Sequence, residues 1–480
     1  MYNPLISVVV PTRERPDTLE VMLRALSRHQ SERIEIVVQD NFGSPETAKI
    51  VSEAAKLDPR IRYSHSLHAT SQRHNFELGL AAARGEYMTI IGDDDGFCLG
   101  SLDWLVKQLE QRPVDAVRWN LVTYIWPSLS SDDVGFINLH SAQCFGSNFV
   151  TSAKPIADSA IKAGTLGSWD NILVYHGMIS RRVYDRMRSM TDGVFFPYPM
   201  PDVYAHNVLP FFCNEILQVN DIVSIYGSSG HSAGASWTRA PDKTDQRSAA
   251  EGARWMAESI ADPIAGQTPW HPEIRTLRYH DYAALRLAES HGMLAGYEID
   301  QAQWVKAMIN EIRAGPWQLE ELLSADERAP FDGEVFSAIR RYFAANPIAE
   351  SVPLPRKHTA DPRIPAIRVA QVNPSLLDDV EGACLAIAKI TGDIATRYND
   401  VSVNARPEFN LIALIKKSAI YVQRKAPRFV HRVLESRLMP RPLWRFLKKL
   451  SRPADSRSEF LQRRLDTFKT VDVGQFKTSQ

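Results

Sequence analysis

Over the first 120 residues, short apolar runs alternate with segments whose apolar residues recur every three to four positions. No other feature of the chain constrains its fold as tightly. Residues 5–10 form an unbroken apolar run that stops at Pro11, as a buried strand does. Leu19, Met22, Leu23 and Leu26 then share one helical face, behind Pro16 at the first turn and with Asp17 and Glu20 complementing the helix dipole. Residues 34–38 read as a second strand. Ser44, Pro45 and Glu46 supply an N-cap, an N1 proline and an acidic first turn for a helix running to about Lys56. The spacing predicts a further helix over about 75–84 closed by Gly85. It also predicts a strand over 87–91 that ends at Gly92-Asp93-Asp94-Asp95, a helix capped by Ser101, and a strand over 114–117. Strands alternating with helices build βαβ units around a mainly parallel sheet flanked by helices, an α/β fold.

Beyond residue 120 the pattern changes. Residues 121–235 are mixed, with Gly, Pro and Ser punctuation, and complete a first unit over 1–235. Residues 236–272 are polar and read as a loop. A helical pattern covers 273–345, with Tyr282, Leu285 and Leu287, then Trp304, Met308, Ile309 and Ile312. Residues 346–375 hold six prolines and read as a linker; 376–480 read as a helical, basic C-terminal region. With 44% apolar and 23% charged residues, the chain is of ordinary globular composition, which excludes a largely disordered or collagen-like protein. No run of eighteen apolar residues predicts a membrane span, and the N-terminus lacks the basic and apolar regions of a signal peptide. Cys98, Cys144, Cys213 and Cys384 form no CxxC pair, so neither a zinc ribbon nor a redox motif is expected; a reducing cytoplasm is the simplest compartment. The neutral net charge hides an asymmetry: residues 405–480 hold 18 Lys and Arg against 6 Asp and Glu, so the tail is basic and the body acidic.

In an open α/β sheet, ligands bind beyond the carboxyl ends of the strands. Three strand ends carry polar groups: Pro11-Thr12-Arg13-Glu14, Gln39-Asp40-Asn41 and the acidic triplet. Adjacent carboxylates repel one another, and burying them unpaired is costly. A hard divalent cation such as Mg²⁺ or Mn²⁺ resolves both difficulties and commonly shares its ligands with substrate phosphates. The plain alternative, an acidic surface turn, does not account for the triplet's place at the end of an apolar strand.

These motifs, with Ala83-Arg84-Gly85-Glu86-Tyr87 before the triplet, make the chain similar to glycosyltransferase family 2 over about residues 4–120. The resemblance implies a GT-A fold, a nucleotide-diphospho-sugar donor, UDP-linked by expectation, and a divalent metal, Mn²⁺ or Mg²⁺. By the same resemblance, Pro11, Thr12 and Glu14 hold the nucleoside, Asp40 contacts the base, and Arg73, Asn75 and Asp93 approach the donor. Asp94 matches the metal-binding acid of the family's DXD motif, with Asp95 beside it, although Gly92 stands where the first acid of that motif usually falls. Farther on, Asp202 follows Pro201 and precedes Val203, Val208 and Leu209, the family's setting for a catalytic base at a helix entrance; an N-cap role is its plain alternative. His231, in a Gly/Ser-rich stretch, is a candidate late ligand to metal or diphosphate, and His206 competes with Asp202 as base. An inverting, metal-dependent transfer to a saccharide or lipid-linked acceptor is the expected activity, in polysaccharide biosynthesis.

Other readings are weaker. Gly230-His231-Ser232-Ala233-Gly234 matches the G-x-S-x-G elbow of serine hydrolases, but residues 235–241 make a poor helix start. A nucleotidyltransferase would place a glycine-rich loop after the first strand, and none is present. A non-catalytic sugar-nucleotide or carbohydrate-binding module is the third reading. In the tail, Lys416, Lys417, Arg424, Lys425, Arg428 and Arg432 alternate with apolar residues. Such a segment suits the surface of an anionic membrane, which would make the protein peripheral on the inner face of the cell membrane, or a plain pairing with the acidic body. No nucleic-acid motif accompanies the charge.

Overall fold

The computed structural model describes residues 3–129, 134–140, 148–164, 171–230, 246–272, 274–314, 333–346, 366–368 and 377–391. The parallel half of the sheet is built from β1 (Ile6–Thr12), β2 (Ile34–Asp40), β3 (Ile61–His65) and β4 (Tyr87–Ile90), in the order β4-β1-β2-β3. Every residue of β1 and β2 is buried, as their unbroken apolar runs require. β1 passes through Pro11 instead of stopping there, and its register with β2 sets Thr12 beside Asp40 at the carboxyl ends. The edge strand β3 was not legible because Ile61-Arg62-Tyr63-Ser64-His65 alternates apolar and polar residues over only five positions.

The helices between these strands match the sequence with shifted ends. α1 (Pro16–Ser27) and α2 (Pro45–Leu57) begin at their prolines, and the Ser44 hydroxyl caps α2 by accepting from the Thr47 amide. α3 (Gln72–Ala82) begins three residues early, capped by Ser71, so Arg73 and Asn75 sit in its first turn. α4 (Ser101–Gln111) is preceded by Gly100 at its N-cap, and the Ser101 hydroxyl donates to the Val223 carbonyl instead of capping.

The second half of the sheet is mixed. β6 (Ala116–Ile125) lies parallel to the long strand β10 (Glu215–Ser228) and antiparallel to β7 (Phe136–His140) and β9 (Met178–Ser180). β5 (Gly96–Phe97) and β8 (Phe149–Ser152) pair antiparallel with β10. Between them lie α5 (Lys154–Ala160), α6 (Arg181–Arg188) and α7 (Pro201–Val208).

Of the C-terminal stretches, two depart from the sequence reading and one is helical as expected. The stretch expected to be a loop over 236–272 carries α8 (Gln246–Ala261). The helical region resolves into α9 (Leu277–Ser290), α10 (Gln301–Ala314) and α11 (Gly333–Ala345), whose Tyr279, Tyr282, Trp304 and Phe336 share one core with α7. The proline-rich linker contributes β11 (Ala366–Arg368), antiparallel to β7. α12 (Val380–Thr391) buries Val380, Ala383, Cys384 and Ile387 in the core that holds α1 and α4, and Glu381 pairs with Arg24 and Arg28 of α1. The helices thus sandwich the sheet, and the C-terminal helices belong to its two cores. Among the described residues, no helix is long and apolar enough to cross a membrane.

Candidate active site

The carboxyl ends of β1, β2 and β4 open on one side of the sheet, and the polar groups predicted there converge. Thr12 donates to Asp93 Oδ2 at 2.6 Å, and Arg15 Nη1 lies 3.2 Å from Asp93 Oδ1. Burial works against the charge on Arg15, but Asp93 and Asp94 more than offset it and raise its pKa. Pro11, Thr12, Arg15, Asn75 and Asp93 line one shared cavity.

The three carboxylates of the triplet point to different partners. Asp94 Oδ2 accepts from Ser229 at 2.6 Å, and burial with the charges of Asp95 and Asp93 pushes its pKa up to about 7. A positive charge beside Asp94 would relieve that strain. Asp95 instead accepts from Tyr175 and the Gly92 amide and meets His176 Nε2 at 2.9 Å, all at Oδ2, while Oδ1 takes the Gly227 amide. Burial alone would raise its pKa, yet His176 and these amides hold it below the usual carboxylate range. With four partners Asp95 has little capacity left for a cation, so the expectation that it joins Asp94 as a metal ligand is not met by its geometry. Among the described residues, no three Asp, Glu, His or Cys side chains form a cage for an ion. The donor set of Asp94 with Asp93 nevertheless fits a cation that draws most of its ligands from phosphate, as Mg²⁺ commonly does.

Two glycines shape this strand end. A Cβ on Gly227 would stand 1.7 Å from the Asp94 carbonyl oxygen, so only glycine lets β10 run this close. At Gly92 a Cβ would meet Asp94 Oδ1 and Asp95 Oδ2, each at 3.0 Å. An acid at position 92 would crowd the two carboxylates already there.

Asp40 ends β2 fully buried. Its Oδ2 accepts from Tyr63, and burial raises its pKa against the pull of Tyr63 and the Gly43 amide. Asp40 Oδ1, both amide atoms of Gln39 and Asn75 Oδ1 are buried without hydrogen-bond partners. Buried polar atoms are nearly always paired, so an orphaned cluster at a strand end suits a polar ligand.

Other predicted residues are engaged elsewhere. Arg73 is buried in a two-point ion pair with Asp262, Nε to Oδ2 at 2.7 Å and Nη2 to Oδ1 at 3.2 Å, and does not line the cavity. It ties α3 to the end of α8 and is no free donor ligand. Glu14 is exposed, at φ 53°, and pairs with Arg254 of α8 at 3.0 Å. His231, Ser232 and the tail over 405–480 lie outside the described residues.

Asp202 occupies the second position of α7. Met200 is the N-cap residue and makes no side-chain cap, so Asp202 is not the N-cap that its plain alternative required. Water reaches its side chain, yet the protein around it raises its pKa against the pull of His206. Tyr226 feels the charges of Asp95, Asp94 and Asp202, and Asp202 does not line the cavity that holds Thr12 and Asp93. His206 Nδ1 donates to the Asp202 carbonyl at 2.9 Å, and its Nε2 meets Asp281 of α9 at 2.8 Å. His206 therefore fastens α7 to α9 and is a poor substitute for the base.

His176 escaped the sequence reading. It is a buried residue at φ 54° that joins Asp95 to Ser224, with Nδ1 2.8 Å from the Ser224 hydroxyl. The only sequence signal is its place just before β9.

A parallel α/β crevice with buried acids at one strand end suits a polar ligand beyond the carboxyl ends of the strands. In comparison with known proteins, residues 7–132 match the profile described as Glycosyl transferase family 2. Over that segment, about a quarter of its length, the chain is similar to this family. It is 31% identical over 109 residues to the GalNAc(5)-diNAcBac-PP-undecaprenol beta-1,3-glucosyltransferase of Campylobacter jejuni, covering 22% of this chain and 35% of that one. It is 27% identical over 122 residues to Glycosyltransferase GlyG of Streptococcus pneumoniae, covering 25% and 40%. The matches thus span well under half of these curated relatives. Among solved structures, S. aureus TarS 1-349 in complex with UDP-GlcNAc aligns at a TM-score of 0.39 and 12% identity, over 71% of this chain and 92% of that one.

Proposed function

We propose that the protein transfers a glycosyl group from a nucleotide-diphospho-sugar, UDP-linked, to a hydroxyl of a saccharide or lipid-linked acceptor with inversion. The observation that carries this reading is the crevice itself: Thr12, Arg15, Asn75 and Asp93 meet at the ends of β1, β4 and α3. Asp40 and Asn75, with unpaired buried oxygens, suit the polar edges of a nucleoside. Arg15 suits the diphosphate. Asp94 with Asp93 would hold a divalent cation, which supplies positive charge to the departing diphosphate. Asp95, fixed by His176, Tyr175 and two amides, keeps the turn that presents Asp94. Asp202 would accept the acceptor's proton as the new sugar–oxygen bond forms and the bond to the diphosphate breaks. The hydrolase alternative rests on Ser232, outside the described residues, while the matched family is one of transferases. The basic tail is our candidate for contact with an anionic membrane at the cytoplasmic face, where lipid-linked acceptors reside.

The test is a panel of nucleotide-sugars assayed for metal-dependent turnover, with Asp94→Asn beside the wild type. Turnover by the wild type that the Asp94→Asn substitution and excess chelator each abolish is the expected result. Full activity of the variant, or in chelator, removes the assigned role of Asp94.

A further inference from the structure

α8 lies outside the family-matched segment, yet it forms one wall of the cavity. Glu251, Arg254, Trp255 and Glu258 of this helix face Thr12, Arg15 and Asp93 across a space of ≈ 110 Å³. With α8 in this position, its side chains stand in the space beside Asp93 and Arg15 that a nucleotide-diphospho-sugar would enter. The helix is held there by polar links to the elements that carry the site. Arg13 of the first-strand loop pairs with Glu258, and Arg254 pairs with Glu14. Trp255 Nε1 donates to Gln72 at 2.8 Å, at the start of α3. Just beyond the helix, Asp262 takes Arg73 and the Ser71 hydroxyl.

These links differ in kind. Asp262 is buried, and Arg73 and Ser71 hold its pKa down against burial, which makes a firm pivot at one end of α8. The Arg13–Glu258 pair is only partly buried, at 19% and 24% exposure, and Arg254 is 34% exposed. Pairs that water reaches are weak and readily exchanged. Both arginines line the cavity where a diphosphate beside Asp93 and Arg15 would lie. Phosphate is a strong bidentate partner for guanidinium.

We propose that α8 is a latch on the donor site. It pivots at Asp262, and the incoming nucleoside diphosphate releases it by taking Arg13 from Glu258 and Arg254 from Glu14. Arg13 and Arg254 are thereby donor-binding residues contributed by, or freed from, an element outside the family domain. The inference rests on the nucleotide-sugar reading above.

Binding of UDP, GDP and dTDP with Mn²⁺ to the full chain, measured by calorimetry and stopped flow, separates a latch from a scaffold. Glu258→Gln removes the latch partner and leaves Arg13 for the ligand. It should bind the preferred nucleotide about two- to fivefold tighter, the scale of one part-exposed ion pair, with faster association. Arg13→Gln loses a phosphate ligand and should bind several-fold more weakly. Glu14→Gln and Arg254→Gln should repeat this opposition, which protects the test against one variant that fails to fold. Equal or same-sign shifts for both members of each pair would overturn the latch while leaving the donor reading intact. Failure of the wild type and every variant to bind any of the three nucleotides would remove the donor reading itself, and the latch with it.

Discussion

Asp202→Asn separates chemistry from architecture at the crevice. The substitution keeps the size of the side chain and removes its capacity to take a proton. Asp202 is not the N-cap of α7, so the structural loss is confined to the carboxylate's interaction with the amides at the open end of the helix, its own and that of Val203. That term is about 0.3–1 kcal/mol, which in a chain of this size moves Tm by about 2–4 °C at most. A positioned base contributes typically about 10²–10⁴-fold, or about 3–5 kcal/mol of barrier at about 1.4 kcal/mol per decade. The two effects therefore differ by several kcal/mol and are easily told apart. The pH profile adds a second signature. The environment raises the pKa of Asp202, so the wild-type kcat/KM should fall with acid through a limb above the usual aspartate value of about 3.9, and the variant should lack that limb. The assay is initial-rate transfer from pH 4 to 8, with nucleotide affinity and Tm measured on the same preparations. Transfer within about twofold of wild type, or an unchanged acid limb, would refute the assignment.

Three further outcomes are expected. Gly227→Ala must push β10 away from the Asp94 carbonyl, at a cost of about 1–3 kcal/mol, and should lower both Tm and cation-dependent turnover; normal values for both would contradict the close approach. Glu311 accepts from the Leu277 and Arg278 amides at the start of α9, and burial pushes its pKa up to about 7. A carboxyl raised on folding favours the folded state most below its unfolded value near 4.5 and loses that contribution as pH rises towards 7; Glu311→Gln should flatten urea stability across this window, and an unchanged slope would exclude Glu311 as its source. Removal of residues 405–480 should weaken binding to anionic vesicles at low salt, at about 1 kcal/mol per basic residue near the surface; equal binding by both forms would leave only pairing with the acidic body.

The parallel half of the fold was legible because its strands are buried on both faces and its helices begin with proline or serine signals. The same segments carry Thr12, Asp40 and the triplet, so much of the crevice could be read with them. What could not be read depends on distant partners. Arg73 looks like a donor ligand until Asp262, far along the chain, is folded against it. Asp95 looks like a metal ligand until Tyr175, His176 and Gly227 claim its oxygens. α8 carries few large apolar residues, chiefly Trp255, Met256 and Ile260, and proline-marked polar stretches flank it, so its periodicity is faint. His176 carries its strain in the backbone, which leaves no mark in composition.

The docking of α12 on α1 has a consequence for synthesis. Glu381 reaches back to Arg24 and Arg28, and Cys384 and Ile387 fill the core beneath the first βαβ units. The transferase domain therefore leaves the ribosome with an apolar groove that its own C-terminal helix must later cover. At ~5–20 residues per second, that helix follows on the order of tens of seconds later. During that interval the apolar side chains that α12 covers in the folded protein have no partner from it.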